Sequence, residues 1–265
     1  MIREVFSIGP FPITPFGIMM MLAFFGAFAQ LRANLRRAGI GGEEDASALF
    51  LAAALGGVIG GKIYYSILYG DPMLLLARSG LVYYGGFLLG TAAVWWTARR
   101  RGMPLWRTAD AVLPSVAIGY ALGRVGCFLV GDDYGVPTDG WWGVAFPVGL
   151  PPTEARYLRS EFGLAIPADI PADELLKVHP TQLYETTLAL LIWGAGLALL
   201  GRSLRPGTTA LAVAAMLAAE RFAVEFLRAK DDRLLGTFTV AQAISAGVLV
   251  AIAWLWSRRP AAAEP

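Results

Sequence analysis

Three charged residues lie on one face of an otherwise apolar segment: Arg221, Glu225 and Arg228. Their spacing of i, i+4 and i+7 places them on one helical stripe. An arginine at the centre of a bilayer costs about 2.5–3.5 kcal/mol on insertion scales, so such residues are candidates for function. Arg221 and Glu225 either neutralise each other as a structural ion pair, or leave Arg221 available to a bound anion, because a guanidinium presents a planar fork that matches phosphate.

A second apolar segment contains Arg124 within a Gly-Arg-x-Gly pattern, and further charges, Lys62 and Glu185, lie within or close to other apolar segments. The glycines allow close backbone approach while the guanidinium points into the interior. Beside Arg221, Arg124 predicts an anion pocket built from two arginines toward the outer leaflet, where phospholipid headgroups are the most abundant anions. A channel or a transporter also carries intramembrane charge, so the charges alone indicate an anion or phospholipid site.

The composition excludes several other classes of protein. Of the 265 residues, 56% are hydrophobic and 16% are charged, with a mean hydropathy of +0.56; soluble domains carry about 25% charged residues. The single cysteine, Cys127, excludes an internal disulfide framework, and the single histidine, His179, excludes a multi-histidine metal site. A net charge of +2 without a basic cluster argues against nucleic-acid binding.

Hydrophobic segments of about 20 residues, the length that a bilayer core requires, predict an all-α integral membrane protein. We expect a bundle of about seven transmembrane helices and a small extracytoplasmic head segment, all within a single domain over residues 1–265. The predicted spans are approximately 12–31, 47–69, 81–98, 109–130, 180–201, 207–227 and 238–257. The segment 131–179, which contains six prolines, is the predicted head.

The distribution of basic residues predicts the orientation in the membrane. Arginines are concentrated in the loops after spans 1, 3 and 5 and in the C-terminal tail: Arg32, Arg36, Arg37, Arg99, Arg100, Arg101, Arg107, Arg202, Arg205, Arg258 and Arg259. We therefore expect the N-terminus outside, the C-terminus in the cytoplasm and the head outside. Ala27-Phe28-Ala29 imitates a signal-peptidase site, but no basic region precedes it, so the first helix is expected to remain uncleaved.

Small residues predict where helices pack closely. Gly56-x-x-x-Gly60, Gly86-x-x-x-Gly90 and Gly119-x-x-x-Gly123 let helix backbones approach one another. The glycine-rich end of span 4 is expected to form a re-entrant bend, which is tolerated where it lines a cavity.

Several motifs resemble those of the bacterial prolipoprotein diacylglyceryl transferases. The segment 123–135 reads GRVGCFLVGDDYG and is similar to the family signature Gly-Arg-x-Gly-Asn-Phe-x-Asn-Gly-Glu-x-x-Gly. The segment 179–185, HPTQLYE, is similar to the family's His-Pro-Ser-Gln-Leu-Tyr-Glu, and 221–228, RFAVEFLR, matches its Arg-x-x-x-Glu-Phe-x-Arg. Three shorter motifs occur in the same order along the chain as in the family: Phe6-Ser7-Ile8-Gly9-Pro10, Gly60-Gly61-Lys62 and Tyr84-Gly85-Gly86. The resemblance therefore covers nearly the whole chain.

The resemblance implies a multi-pass enzyme of the bacterial inner (cytoplasmic) membrane. Such an enzyme transfers the diacylglyceryl group of phosphatidylglycerol to the lipobox cysteine thiol of a prolipoprotein, and glycerol phosphate leaves. Arg124 and Arg221 would stabilise the charge that develops on the phosphate, and a base would accept the proton of the attacking thiol. The implied reaction requires no metal and no cofactor. The implied partners are phosphatidylglycerol, prolipoprotein substrates and the bilayer, without nucleic acid.

Departures from the family pattern concern proton transfer most. The family usually has a histidine before the Gly-Gly of span 3, where this chain has Tyr84. A tyrosine with a pKa near 10 is a poor resting base, so either Tyr84 or His179 is a candidate for that role. The family's first signature asparagine is Cys127 and its glutamate is Asp132. Cys127 is interpreted as a small packed residue rather than a nucleophile.

The predicted site contains residues of two kinds. The expected catalytic residues are Arg124, Arg221, Tyr84, His179 and Glu225. The expected substrate-binding residues are Gly126, Cys127, Asp132, Gly135, Gln182, Tyr184, Glu185, Arg228, Lys62, Gly85 and Gly86. In the head, we expect Asp133 to be solvated, and Trp141, Trp142 and Phe146 to lie at the membrane interface.

Two other functions stay open on the sequence. A non-catalytic phospholipid-binding protein would also keep Arg124 and Arg221. A lipid transporter would explain intramembrane charge, although the chain lacks the paired halves with broken helices that are usual in that class.

Overall fold

The computed structural model describes residues 6–8, 11–77, 80–230 and 238–258, and within them the chain is mostly helical. Seven of the helices have 17 residues or more. They are α1 (Pro15–Arg37), α2 (Glu43–Tyr69), α3 (Tyr83–Arg100), α4 (Leu105–Val130), α6 (Thr181–Leu200), α7 (Thr208–Val224) and α8 (Val240–Ser257). A short helix α5 (Ala155–Ser160) lies in the predicted head. An antiparallel hairpin of β1 (Phe6–Ile8) and β2 (Phe11–Ile13), which the sequence did not predict, precedes α1.

Each predicted span overlaps one of the seven long helices. Five of these helices, α1, α2, α4, α6 and α8, are long and apolar enough to cross a membrane. α3 and α7 do not meet the same criteria of length and composition; α7 has 17 residues and includes charged side chains. The chain is therefore a helical, multi-pass membrane protein with little sheet.

Residues 28–112 form one of two compact units. In this unit, α2 packs tightly on α3 because glycines face each other where the helices meet. A Cβ atom at Gly60 would lie 2.6 Å from the Cβ atom of Leu89 and would clash with the carbonyl of Gly85. A Cβ atom at Gly56 would lie 2.9 Å from the Cα atom of Gly90. The small-residue patterns of spans 2 and 3 are thereby confirmed as packing positions.

The second unit comprises residues 1–27 and 113–265. Here α6 packs on α7, and α7 packs on α8. The N-terminus of α8 is joined to α7 through Gln242, a buried residue that completes a capping box with Thr239 and donates to the carbonyl of Phe222 at 3.3 Å.

The glycine-rich signature at the end of α4 is helical, so the predicted re-entrant bend is wrong. α4 continues without interruption through Gly123 and Gly126 to Val130, and the chain turns only at Gly131, whose φ is +72°. Gly126 serves close packing instead of a bend: a Cβ atom there would lie 3.1 Å from Met19 and 3.2 Å from the ring of Phe16, on α1.

The head, residues 131–179, has a small core of its own. Tyr134, Phe146, Leu158 and Val178 are its buried residues. The prediction that Phe146 lies at a membrane interface is therefore wrong, because its ring stacks on Tyr134 inside the head. Trp141, by contrast, is 89% exposed.

The two ends of the head meet each other and the segment that follows α7 in a set of backbone hydrogen bonds that we name the junction. It is formed by residues 133–136, 178–181 and 227–229. The amide of Gly135 donates to the carbonyl of His179 at 2.8 Å, and the amide of Val136 donates to the carbonyl of Leu227 at 2.8 Å. A side chain at position 135 would clash with the Leu227 carbonyl and would lie 2.8 Å from the Cβ atom of His179. The junction therefore requires glycine at this position.

Gly60→Ala is expected to destabilise the protein by about 1–3 kcal/mol, because the added methyl group forces α2 and α3 apart. Gly57→Ala in the same helix is the matched control, since a Cβ atom there meets nothing within 4 Å and alanine favours helix. Thermal unfolding in detergent measures the difference. Equal melting temperatures for the two variants would show that the α2–α3 contact does not depend on Gly60.

Candidate active site

A fully buried carboxylate, Glu185 on α6, is the centre of the candidate site. Its oxygens lie 3.1 Å from Nε of Arg124, 3.2 Å from Arg221 and 3.4 Å from Arg228. The hydroxyl of Tyr120 donates to the same carboxylate at 3.0 Å. Three guanidiniums from different parts of the chain are therefore drawn together by one buried charge.

The three arginines differ in how far they are open to the outside. The side chain of Arg221 is 24% exposed and that of Arg124 is 14% exposed, whereas that of Arg228 is 2% exposed. Tyr120 lies beside Arg124, with the guanidinium carbon 5.3 Å from the ring centre. Arg124 and Arg221 can therefore contact a ligand, while Arg228 is enclosed by protein.

The C-terminal end of α7 positions the second and third arginines. Arg221 forms an ion pair of 2.7 Å with Glu225, as the i, i+4 spacing predicted. The helix ends at Val224, earlier than the predicted span, and a 3₁₀ turn over Glu225–Leu227 leads into extended backbone at Arg228. Arg228 therefore leaves the helical stripe and pairs with Glu225 more weakly, at 3.7 Å.

Asp133, which was expected to be solvated, has a side chain that is 40% exposed and that also joins two of the arginines. Its carboxylate lies 2.8 Å from Arg124 and is also paired with Arg228. Burial opposes its ionisation, but the guanidiniums of Arg228 and Arg124 outweigh that effect and lower the pKa of Asp133 to about 2. The residue is held in place by its own left-handed backbone, with φ of +58°, and by Thr181, whose hydroxyl donates to its carbonyl at 2.9 Å.

Beside Arg124 lies a group of polar side chains formed by Cys127, Asp132 and Gln182. The sulfur of Cys127 lies 3.8 Å from the Arg124 guanidinium, and Gln182 donates its side-chain amide to the carbonyl of Asp132 at 2.5 Å. Burial, with a contribution from the Asp133 charge, raises the pKa of Asp132. Oδ1 of Asp132 and Oε1 of Gln182 are buried acceptors without a hydrogen-bond partner in the described part of the chain.

Three residues here could in principle bind a metal ion: Cys127, Asp132 and Asp133. The sulfur of Cys127 and one carboxylate oxygen of each aspartate lie within 4.8 Å of one another. Asp133 is nevertheless committed to two guanidiniums, whose charge repels a metal cation. The arrangement suits an anion better than a metal.

His179 lies at the junction, where the head meets α6. Its Nδ1 atom lies 3.1 Å from the hydroxyl of Tyr184. Burial lowers the pKa of His179, so the imidazole is neutral at pH 7 and can accept a proton. Gly135, a predicted substrate-binding residue, lies beside it as part of the junction.

The remaining predicted residues, Lys62, Tyr84, Gly85 and Gly86, belong to the compact unit of residues 28–112. The Lys62 ammonium donates to the carbonyl of Ala77. Gly85 and Gly86 face the backbone of α2, where a Cβ atom at Gly86 would lie 2.8 Å from the carbonyl oxygen of Gly57. Tyr84 is in the first turn of α3 and is partly exposed.

Three residues of the site were missed by the sequence reading: Asp133, Tyr120 and Glu220. Glu220 is buried on α7, and its Oε1 atom has no hydrogen-bond partner in the described residues. Its position directly before Arg221 within an apolar segment was a usable signal, because an acidic residue there is costly. Tyr120, one turn before Arg124, carried no comparable signal.

Glu185→Gln is expected to destabilise the protein by about 3 kcal/mol, because it removes the fully buried carboxylate that neutralises three neighbouring guanidiniums. Glu220→Gln is the matched control: it removes a buried carboxylate that forms no ion pair within 4 Å among the described residues. That change should leave stability unaltered or raise it. The free energy of unfolding in detergent is measured for both variants. An equal loss of stability in the two would contradict the central role of Glu185.

Comparisons with known proteins identify the family of the chain. The sequence profile of the prolipoprotein diacylglyceryl transferase family matches residues 3–258. A phosphatidylglycerol–prolipoprotein diacylglyceryl transferase of Stenotrophomonas maltophilia is 33% identical, over 94% of this chain and 83% of the relative. Proteins of the same name from Solidesulfovibrio magneticus (96% of this chain, 92% of the relative) and Pseudomonas savastanoi pv. phaseolicola (97% and 94%) are each 30% identical. The chain therefore belongs to the prolipoprotein diacylglyceryl transferase family.

Proposed function

We propose that this protein transfers the diacylglyceryl group of phosphatidylglycerol to the lipobox cysteine thiol of prolipoproteins, the reaction for which its relatives are named. The observation that carries the proposal is the convergence of Arg124, Arg221 and Arg228 on the buried carboxylate of Glu185. Such a cluster of fixed cations within a helical membrane protein suits a substrate that carries a phosphate group.

The reaction requires those cations at the leaving group. The substrate sulfur attacks the terminal glycerol carbon of the diacylglyceryl group, so that an S–C bond forms and the C–O bond to phosphate breaks. The electron pair of the broken bond stays on the phosphate oxygen, and glycerol phosphate leaves with one more negative charge than the diester carried. Guanidiniums that are already in place stabilise this developing charge without reorganisation.

Arg124 and Arg221 are the arginines that contact the phosphate, because their side chains retain exposed surface. Arg228 is enclosed and acts through its ion pairs with Glu185 and Asp133, which hold the cluster together. Glu225 orients Arg221 through the 2.7 Å ion pair. The roles of the three arginines therefore follow from their burial.

The headgroup glycerol is bound by hydrogen-bond acceptors beside the arginines. Oδ1 of Asp132 and Oε1 of Gln182 are buried acceptors without partners in the described residues, and a buried polar atom is stabilised when a donor reaches it. The two hydroxyls of a glycerol headgroup supply such donors.

His179 accepts the proton of the attacking thiol. Its ring is neutral at pH 7, whereas a tyrosine such as Tyr84 keeps its proton until the pH approaches about 10. Tyr84 is therefore the weaker candidate for the base.

All seven long helices span the membrane in this proposal, including α3 and α7, and residues 1–265 act as one transmembrane domain. The N-terminus faces outside and the C-terminus faces the cytoplasm of a bacterium, as the arginines of the loops after α1, α3 and α6 favour. The charged residues of α7 that lower its hydropathy are those of the site, so their function explains the departure of α7 from an ordinary span.

Arg124→Ala is expected to lower the rate of transfer by about 10²–10³-fold, because one donor to the leaving phosphate is lost. The purified protein is given phosphatidylglycerol and a lipobox peptide, and mass spectrometry detects the diacylglyceryl peptide. Arg202→Ala, which removes an exposed arginine from a loop, is the control and should retain full activity. Lipid binding by the unaltered protein without any product would favour a non-catalytic phospholipid-binding protein instead.

His179→Gln is expected to lower kcat by about 10²-fold or more and to remove the acidic limb of the pH–rate profile. The sign follows from the role: a base works only when deprotonated, so the rate of the unaltered protein rises with pH through the lowered pKa of His179. Tyr84→Phe should keep that limb. If the limb survives in His179→Gln and kcat collapses in Tyr84→Phe, Tyr84 is the proton acceptor.

A further inference from the structure

Asp133 differs from the other carboxylates of the site in the exposure of its side chain. Glu185 and Glu225 are buried; Glu185 belongs to α6, and Glu225 begins the 3₁₀ turn that follows α7. The side chain of Asp133 is 40% exposed and lies in the loop that follows α4, two residues after Gly131. Among the described carboxylates that pair with the three arginines, Asp133 is therefore the one whose side chain can rotate into open space while its backbone stays in place.

The carboxylate of Asp133 is placed as a phosphate oxygen would be. One of its oxygens lies 2.8 Å from a guanidinium nitrogen of Arg124 and the other contacts Arg228. Carboxylate and phosphate use the same planar fork of an arginine, so both cannot occupy the same face of Arg124. A ligand phosphate that binds Arg124 on this face must displace Asp133.

The charges of the cluster lead to the same conclusion. Three guanidiniums face three carboxylates, those of Asp133, Glu185 and Glu225, so the ion-paired cluster is formally neutral. An entering phosphate would make it negative unless one carboxylate leaves. Lys230 lies within electrostatic range of Asp133 and forms no ion pair within 4 Å among the described residues, so a cation is available to a withdrawn Asp133.

We propose that Asp133 is an internal competitor for the phosphate group: it occupies Arg124 and Arg228 in the empty site, withdraws when phosphatidylglycerol binds, and returns to displace glycerol phosphate. The inference rests on the transferase function proposed above. It assigns Asp133 a role in the turnover of the enzyme, as a positioning residue that acts through the arginines.

The displacement of a bound phosphate group from the arginines by Asp133 matters more for the product than for the substrate. The phosphodiester of the substrate carries one negative charge, whereas the phosphate monoester that leaves approaches two. A fixed cluster of cations therefore holds the product more strongly, and slow release of product limits turnover in many enzymes. A tethered carboxylate that competes for Arg124 opposes this retention.

The test compares Asp133→Asn with the unaltered full-length protein in detergent. Asparagine keeps the shape of the side chain but removes the charge that competes with phosphate. We expect the inhibition constant of glycerol 1-phosphate to fall about three- to tenfold, which corresponds to roughly 1 kcal/mol for a partly exposed ion pair. The KM for phosphatidylglycerol and kcat should fall as well. Asp139→Asn, in an exposed part of the head, is the matched control and should change none of these constants.

Two results would overturn the proposal. Unchanged constants in Asp133→Asn would show that Asp133 does not compete, and a rise in KM and in the inhibition constant would show that it supports the arginines instead. If Asp133→Asn fails to fold, Asp133→Gly takes its place, because glycine adopts the positive φ of this position without strain. Failure of the transferase function is distinguishable, since the unaltered protein would then form no diacylglyceryl peptide.

Discussion

The rest of the site depends on one constraint: the charge of Glu185, which is fully buried, must be neutralised within the protein. The desolvation free energy of a buried carboxylate without partners would destabilise the fold severely. Three guanidiniums and a tyrosine hydroxyl offset this free energy by pairing with Glu185. The partners come from α4, α7 and the turn after α7, so the same charge fixes these elements relative to α6. The arginines would otherwise repel one another, but Glu185 holds them side by side. Together they form a site that can bind an anion.

Residues of one type thereby acquire different roles. Arg228 is so deeply enclosed that it stabilises the cluster, whereas Arg124 and Arg221 keep surface that a ligand can reach. Conservative replacement by lysine would not be equivalent at any of the three, because a lysine offers a point charge where these sites use a fork of several N–H groups. The stability of the fold and the affinity for phosphate are consequently linked through the same side chains.

Much of this could be read from the sequence, because intramembrane charge and glycine spacing are local signals. Arg124, Glu185, Arg221 and Glu225 were predicted by their presence in apolar segments, and each predicted span overlaps one of the seven long helices. The position of Asp133 could not be predicted, since it follows from a left-handed backbone and from the early end of α7, which turns Arg228 toward the loop. The helical path of the signature was also missed, because glycine is compatible both with a bend and with close packing against α1.

The junction has a consequence for the variation that the head can tolerate. Backbone hydrogen bonds of Gly135 with His179 and of Val136 with Leu227 hold the two ends of the head together. The outer loops of the head therefore begin and end at a fixed position. Backbone bonds depend little on side-chain identity, and loop length beyond such a base changes the closure entropy only slowly. Residues around the exposed Trp141 are therefore suited to an inserted epitope or a fluorophore that reports the sidedness of the protein in intact cells.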